Sequence, residues 1–182
     1  MTGFSDNVIG VVGWKDSGKT SLVERLVTYF TARGVTVSTV KHAHHDFDVD
    51  QPGRDSFRHR GAGAHEVLVS STGRFALMRE LRGAPEPDLA ALLDRLSPVA
   101  LVLVEGFKRE AHPKIEVWRA AHGEGQGLIA RSDPTVVAVA ADVASLDVPG
   151  LDVPCPLLAL DDTAAIAAFI AARVGIELRP GD

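Results

Sequence analysis

Residues 8 to 20 read Val-Ile-Gly-Val-Val-Gly-Trp-Lys-Asp-Ser-Gly-Lys-Thr. From Gly13 onward they match the pattern G-x-x-x-x-G-K-[ST], the phosphate cradle that joins a buried strand to a helix in P-loop nucleotide-binding proteins. The residues just before Gly13 are apolar or glycine, as a parallel strand covered on both faces requires. Leu22, Val23, Leu26, Val27 and Phe30 then fall on one helical face, and Arg33-Gly34 supplies a stop. Each loop position has a physical task. Gly13 and Gly18 let the backbone curl around an anion, and the helix opening near Lys19 adds its positive end. The Lys19 ammonium can reach outer phosphates, and the Thr20 hydroxyl can hold Mg²⁺. Gly13, Trp14, Lys15, Asp16, Ser17, Gly18, Lys19, Thr20 and Ser21 are therefore the candidate phosphate-binding residues.

Strand and helix signals alternate through the rest of the chain. Val35 to Val40 is β-branched and alternating, a second strand. Residues 41–63 form a long polar stretch with a short helix expected over Asp55 to Ala62. Glu66 to Ser70 and Arg74 to Leu81, around Ser71-Thr72-Gly73, read as an antiparallel hairpin. Pro85-Glu86-Pro87-Asp88 opens a helix with Leu89, Leu92, Leu93 and Leu96 on one face. Val99 to Val104 is an unbroken apolar strand, while Lys114 to Arg119 alternates as a half-exposed one would. Val136 to Ala140 and Leu157 to Leu160 are further short strands, and Asp161-Asp162-Thr163 caps a last helix. This order implies a P-loop NTPase-like three-layer α/β domain with a mostly parallel sheet. The 66–82 hairpin and strand 114–119 are expected as added antiparallel edge strands, liable to pair with another chain. A single nucleotide-binding domain over residues 1–182 is expected, with a core of about 7–173 and a short C-terminal tail.

Composition narrows the function. The net charge of −5 over 182 residues argues against a general nucleic-acid binder, which needs many cationic contacts to phosphates. The lone cysteine, Cys155, cannot form an internal disulfide, which is compatible with a reducing compartment. The N-terminus has no secretory pattern and no apolar window approaches a membrane span, so a cytoplasmic protein away from membranes is expected.

The second half of the site follows the 99–104 strand. A parallel sheet delivers Glu105 to the same edge as the phosphate loop, where its carboxylate can hold Mg²⁺ opposite Thr20. Gly106 would allow a close backbone approach there. In the 41–60 loop, Asp46, Asp48 and Asp50 are candidate metal or water partners, with Asp46 placed in the catalytic set beside Lys19 and Glu105. Arg54, Arg58 and Arg60 could meet phosphates or a second anion. His42, His44 and His45 resemble a metal cluster but lack a tetrahedral zinc spacing. Asp142, ending the 136–140 strand, could accept two hydrogens from a guanine base or simply cap a turn.

Together these segments resemble the molybdopterin-guanine dinucleotide biosynthesis protein B (MobB) family. The matching pieces are Gly13 to Ser21, Lys41 to Asp48, Gln51 to Arg58, Phe75 to Met78 and Val104 to Lys108, in order across residues 7 to 172. The resemblance implies a cytoplasmic, homodimeric GTP-binding adapter with weak Mg²⁺-dependent GTP hydrolysis. It implies work beside the guanylyltransferase that joins GMP to molybdopterin, with molybdopterin itself a candidate ligand. Related dimeric GTPases carry a second loop lysine acting across the dimer. Here Trp14 stands at that position and Lys15 comes one residue later. Two alternatives remain at this level: a small-molecule kinase using ATP, suggested by Arg54, Arg58 and Arg60, and a nickel- or zinc-handling metallochaperone GTPase, suggested by the histidines.

Overall fold

The structure, a computed structural model, describes residues 6–43, 47–119, 127–142 and 153–179. In chain order its elements are β1 (Val8–Val12), α1 (Lys19–Thr31), β2 (Val37–Lys41), α2 (Asp55–Gly61), β3 (Glu66–Ser70) and β4 (Phe75–Arg79). Then follow α3 (Leu89–Leu93), β5 (Leu101–Glu105), β6 (Lys114–Trp118), a 3-10 turn at Ile129–Arg131, β7 (Val136–Ala141), β8 (Leu157–Ala159) and α4 (Thr163–Val174). Six strands form one sheet in the order β2-β5-β1-β6-β7-β8, and every neighbouring pair in it is parallel. The α/β expectation holds, and the consequence for function is geometric. All six strands present their carboxyl ends at one edge, the edge where such sheets hold ligands.

Side-chain alternation builds the layers. Ile9, Val11, Leu101 and Leu103 face Leu22, Leu26 and Phe30 of α1 and Ile166 and Ile170 of α4. Val8, Val102 and Val104 point the other way, against Leu89 of α3. Burying each of the larger side chains contributes about 1.5–3 kcal/mol relative to exposure, which fixes α1 and hence the start of the phosphate loop. Arg25 locks α1 to the α4 entry: its guanidinium donates to Thr163 Oγ1 at 2.7 Å and to the Leu160 carbonyl at 2.8 Å. The predicted Asp162 cap is present, its carboxylate accepting from Ala165 N at 2.9 Å.

One strand departs from expectation. β6 is neither antiparallel nor at an edge; it runs parallel between β1 and β7, with Lys114, Ile115, Glu116 and Val117 buried. Its alternating charges look like a solvated face but are satisfied internally. Lys114 Nζ donates to Asp133 Oδ2 at 3.0 Å and to Thr135 Oγ1. The Glu116 carboxylate accepts from the amides of Ile129 and Ala130, both at 2.9 Å, and so caps the 3-10 turn.

The chain divides into two compact units, one combining Met1–His42 with Leu89–Asp182, the other Ala43–Asp88. The second contains α2 and the β3–β4 hairpin. The hairpin is antiparallel as expected, but it forms a two-stranded sheet of its own rather than an edge of the main one. Arg60 organises this unit, donating to Glu80 at 2.7 Å and Asp48 at 2.8 Å.

Candidate phosphate-binding site

The loop after β1 has the backbone its sequence requires. Gly13 sits at φ 151°, and a Cβ there would lie 2.5 Å from the Val117 carbonyl oxygen and 2.7 Å from Ser17 Oγ. Only glycine fits. Asp16 and Gly18 take positive φ angles of 62° and 96°, turning the chain into α1. Gly18 occupies the N-cap without a side-chain cap, and no acid lies in the first turn. The positive end of α1 is therefore not neutralised from within that helix. Ser17 Oγ is buried and finds no hydrogen-bond partner among the described residues. A buried hydroxyl in that state is costly and suits an acceptor supplied from outside.

Lys19 Nζ folds across the loop and donates to the Trp14 carbonyl at 2.6 Å. Burial lowers its pKa below that of an ordinary lysine, and the Lys108 ammonium adds to the shift, while Glu105 and Asp16 oppose it. An incoming anion would offset both causes by favouring the charged ammonium. Thr20 is exposed and donates through Oγ1 to Glu105 Oε1 at 2.8 Å. The two residues are 85 positions apart, and the parallel β1–β5 pairing brings them together. One hydroxyl and one carboxylate, hard oxygen donors beside a phosphate loop, match the preferences of Mg²⁺. The residues present fit a nucleotide phosphate and its cation, by the unpartnered Ser17 hydroxyl, the glycine-only Gly13 position and this oxygen pair.

A family model described as MobB, molybdopterin guanine dinucleotide synthesis protein B, matches residues 8–142. The chain belongs to the MobB family. It is 39% identical over 167 residues, 90% of each chain, to the molybdopterin-guanine dinucleotide biosynthesis adapter protein of Escherichia coli (strain K12). To the protein of the same name from Haemophilus influenzae it is 42% identical over 113 residues, 62% of this chain and 63% of that one. Among solved structures, the MobB protein homolog from Bacillus stearothermophilus superposes with a TM-score of 0.65 at 28% identity, covering 93% of this chain and 98% of that one. A crystal structure of molybdopterin-guanine biosynthesis protein B gives a TM-score of 0.68 at 26% identity, covering 92% and 99%.

Within this MobB-family chain, the other predicted residues divide. Trp14 donates from Nε1 to the Gly127 carbonyl at 3.0 Å and carries the Lys108 ammonium 4.2 Å from its ring centroid. Lys15, Asp16 and Ser21 are exposed. Asp142 stands just past the carboxyl end of β7, with Oδ2 3.7 Å from the Arg119 guanidinium. Asp46, His44 and His45 lie outside the described residues, so their expected metal roles have no geometry here; among the described residues no group of three metal-type side chains converges. Asp48 and Asp50 are engaged with Arg60 at 2.8 and 3.4 Å, and Arg58 pairs with Asp55 at 3.7 Å. Arg60 and both aspartates thus already serve one another inside the Ala43–Asp88 unit.

Gly106 is constrained by a neighbour rather than by open space. Its φ is 94°, and a Cβ would come 3.0 Å from the Cβ of His42, whose amide donates to the Glu105 carbonyl at 2.9 Å.

Three further residues around the candidate site carry no assigned role in the sequence reading. Lys41 ends β2, with Nζ 3.2 Å from Glu105 Oε1 and 3.3 Å from Thr20 Oγ1. Lys108 follows β5, and burial lowers its pKa. Arg119 follows β6 and donates from Nε to the Ser17 carbonyl at 3.0 Å, behind the phosphate loop. A usable signal existed for Lys41, a lone cation closing a predicted parallel strand. None existed for Arg119, because the alternation over residues 114–119 signals an edge strand away from the loop. A separate hollow of 760 Å³ near the amino end of β1, lined by Asp6, Ile9, Phe169 and Arg173, holds none of these residues.

Proposed function

We infer that this chain is an adapter protein in molybdopterin-guanine dinucleotide biosynthesis, and that it performs this role by holding GTP in the Gly13–Ser21 loop. The observation that carries the nucleotide reading is the 2.8 Å contact between Thr20 and Glu105 at the mouth of that loop. Thr20 and Glu105 would hold Mg²⁺, and Lys19 would move from the Trp14 carbonyl to the phosphates. Ser17 would gain the partner it lacks. Bound Mg²⁺ supplies charge neutralisation for the phosphates. Lys19, Lys41 and Lys108 surround the same space and favour a polyanion. Asp142 is the candidate reader of the guanine base. Asp46 joins Lys19 and Glu105 as the candidate hydrolytic set. With no arginine finger assigned among the described residues, intrinsic turnover would be slow.

We propose as its partners the cofactor guanylyltransferase, molybdopterin and a second copy of the chain, met in the cytoplasm. No helix among the described residues is long and apolar enough to cross a membrane. Support for a homodimer comes from the hairpin, where Leu68, Phe75 and Leu77 share one face of the β3–β4 ladder and remain 61%, 72% and 47% exposed. Such a patch usually meets a partner. Light scattering on a Leu68→Glu/Leu77→Glu variant should report a monomer; an unchanged dimer would reject the hairpin as its seam.

Calorimetry tests the nucleotide reading. GTP with Mg²⁺ should bind and ATP should bind more weakly. Lys19→Ala should weaken GTP by about tenfold to a hundredfold, the value of one charge-assisted contact. Unchanged affinity in that variant would remove the phosphate assignment. Recovery of the guanylyltransferase with the tagged chain from cell extract tests the adapter role separately.

A further inference from the structure

Thr20 and Glu105 share a further neighbour at the end of β2. The Lys41 ammonium stands 3.2 Å from Glu105 Oε1 and 3.3 Å from Thr20 Oγ1. These are the same two oxygens that the reading above assigns to a divalent cation, and here a side-chain cation already bridges them.

We propose that Lys41 is a built-in counter-cation of the metal position, one that keeps a free divalent ion out of the Thr20–Glu105 pair until a polyanionic ligand arrives. The inference rests on the metal reading of that pair. Three observations carry it. The first is position: the last residue of β2 sits beside the last residue of β5 in parallel register, Lys41 against Glu105. The second is exchangeability. The Lys41 side chain is 57% exposed while that of Glu105 is 11% exposed, so the ammonium can swing into water while the carboxylate stays. The third is charge. Glu105 is one carboxylate and Lys41 already compensates it, while Lys19 and Lys108 add positive field nearby. A divalent ion entering alone would meet uncompensated repulsion. A ligand bringing several negative charges changes that balance, and the displaced ammonium remains close enough to join it. Lys41 acts here as a positioning residue for cation loading.

The test is Mn²⁺ binding to the nucleotide-free protein, followed by electron paramagnetic resonance up to millimolar concentration. Lys41→Met should bind Mn²⁺ about threefold to tenfold more tightly than the unaltered chain, the scale of a partly exposed ion pair removed. Lys108→Met removes the same charge without opening the position and should change affinity by clearly less. The gain should vanish when Glu105→Gln is added to Lys41→Met. Circular dichroism checks that each variant is folded. If Lys41→Met binds no tighter than the unaltered chain, including no measurable binding in either, the proposal is overturned. Equal gains from Lys41→Met and Lys108→Met also overturn it, since net charge alone would then explain them. A gain in Lys41→Met that survives Glu105→Gln instead sinks the underlying metal assignment to Glu105.

Discussion

Lys41 and Lys114 each hold one threonine hydroxyl and one carboxylate, and the two triads differ in a single physical respect. Lys114 lies within the sheet with its side chain 1% exposed, bound to Asp133 and Thr135. Asp133 is held in turn by the amide and hydroxyl of Thr135. Lys41 lies at the carboxyl edge, more than half exposed, at 3.2 and 3.3 Å from the two oxygens proposed to hold a cation. The same three functional groups are locked in one place and exchangeable with water in the other. Burial decides which, because a desolvated charge cannot give up its partner without a large penalty, whereas an exposed one exchanges it for water at little cost.

The sharpest way to break this contrast is to remove the lysines one at a time. Lys114→Met should cost about 1.5–3 kcal/mol in chemical denaturation, since Asp133 and Thr135, themselves partly exposed, would lose a charged hydrogen-bonding partner. Gly13→Ala probes whether the exchangeable edge is soft in its backbone as well as in its side chains. With a Cβ 2.5 Å from the Val117 carbonyl oxygen and φ at 151°, we expect about 2–4 kcal/mol lost and GTP binding impaired, measured by thermal melting and calorimetry. A neutral result would mean the loop is far more pliable than its contacts with β6 imply.

A third measurement addresses the buried side through pH. His112 is fully buried against Gly10, and burial, reinforced by the Lys114 ammonium, pushes its pKa down from 6.5 to about 4. Between those values the unfolded chain binds a proton that the folded chain refuses. Stability should therefore fall on acidification below pH 6.5, by about 2 kcal/mol at pH 5. Glu116 acts in the opposite sense, because burial raises its pKa and protonation then relieves the folded state. The decisive quantity is the difference between the unaltered chain and His112→Asn. The variant should lack the His112 share of the slope, and parallel curves would reject the assignment. The smallest expected effect belongs to Lys41→Met, under about 1 kcal/mol in denaturation. A loss as large as that of Lys114→Met would erase the distinction between the two triads.

Much of the fold was readable from local pattern. The strand–loop–helix of residues 8 to 31, the Glu66–Arg79 hairpin and the Asp162-capped last helix all stand where periodicity, turn residues and capping residues place them. The Thr20–Glu105 pairing was also within reach, since two buried strands in one parallel sheet must end at one edge. The strand Lys114–Trp118 was not readable. Lysine and glutamate alternating with isoleucine and valine signal a half-solvated strand, and the partners that overturn that signal, Asp133, Thr135 and the amides of Ile129 and Ala130, lie 13 to 21 residues away. With β6 misplaced, Arg119 behind the phosphate loop could not be foreseen.

By itself the sequence determined the candidate phosphate loop and the helices and strands with clear period, because each depends on residues within a few positions of one another, and it determined the family, because a series of motifs recurs in order along the chain. Tertiary structure alone decided that β6 sits at the centre of the sheet, that Lys41 bridges Thr20 and Glu105, and that Arg119 reaches Ser17. Those outcomes depend on which strands become neighbours. That choice is made by the burial of whole faces and the pairing of charges across the chain, which no local window contains.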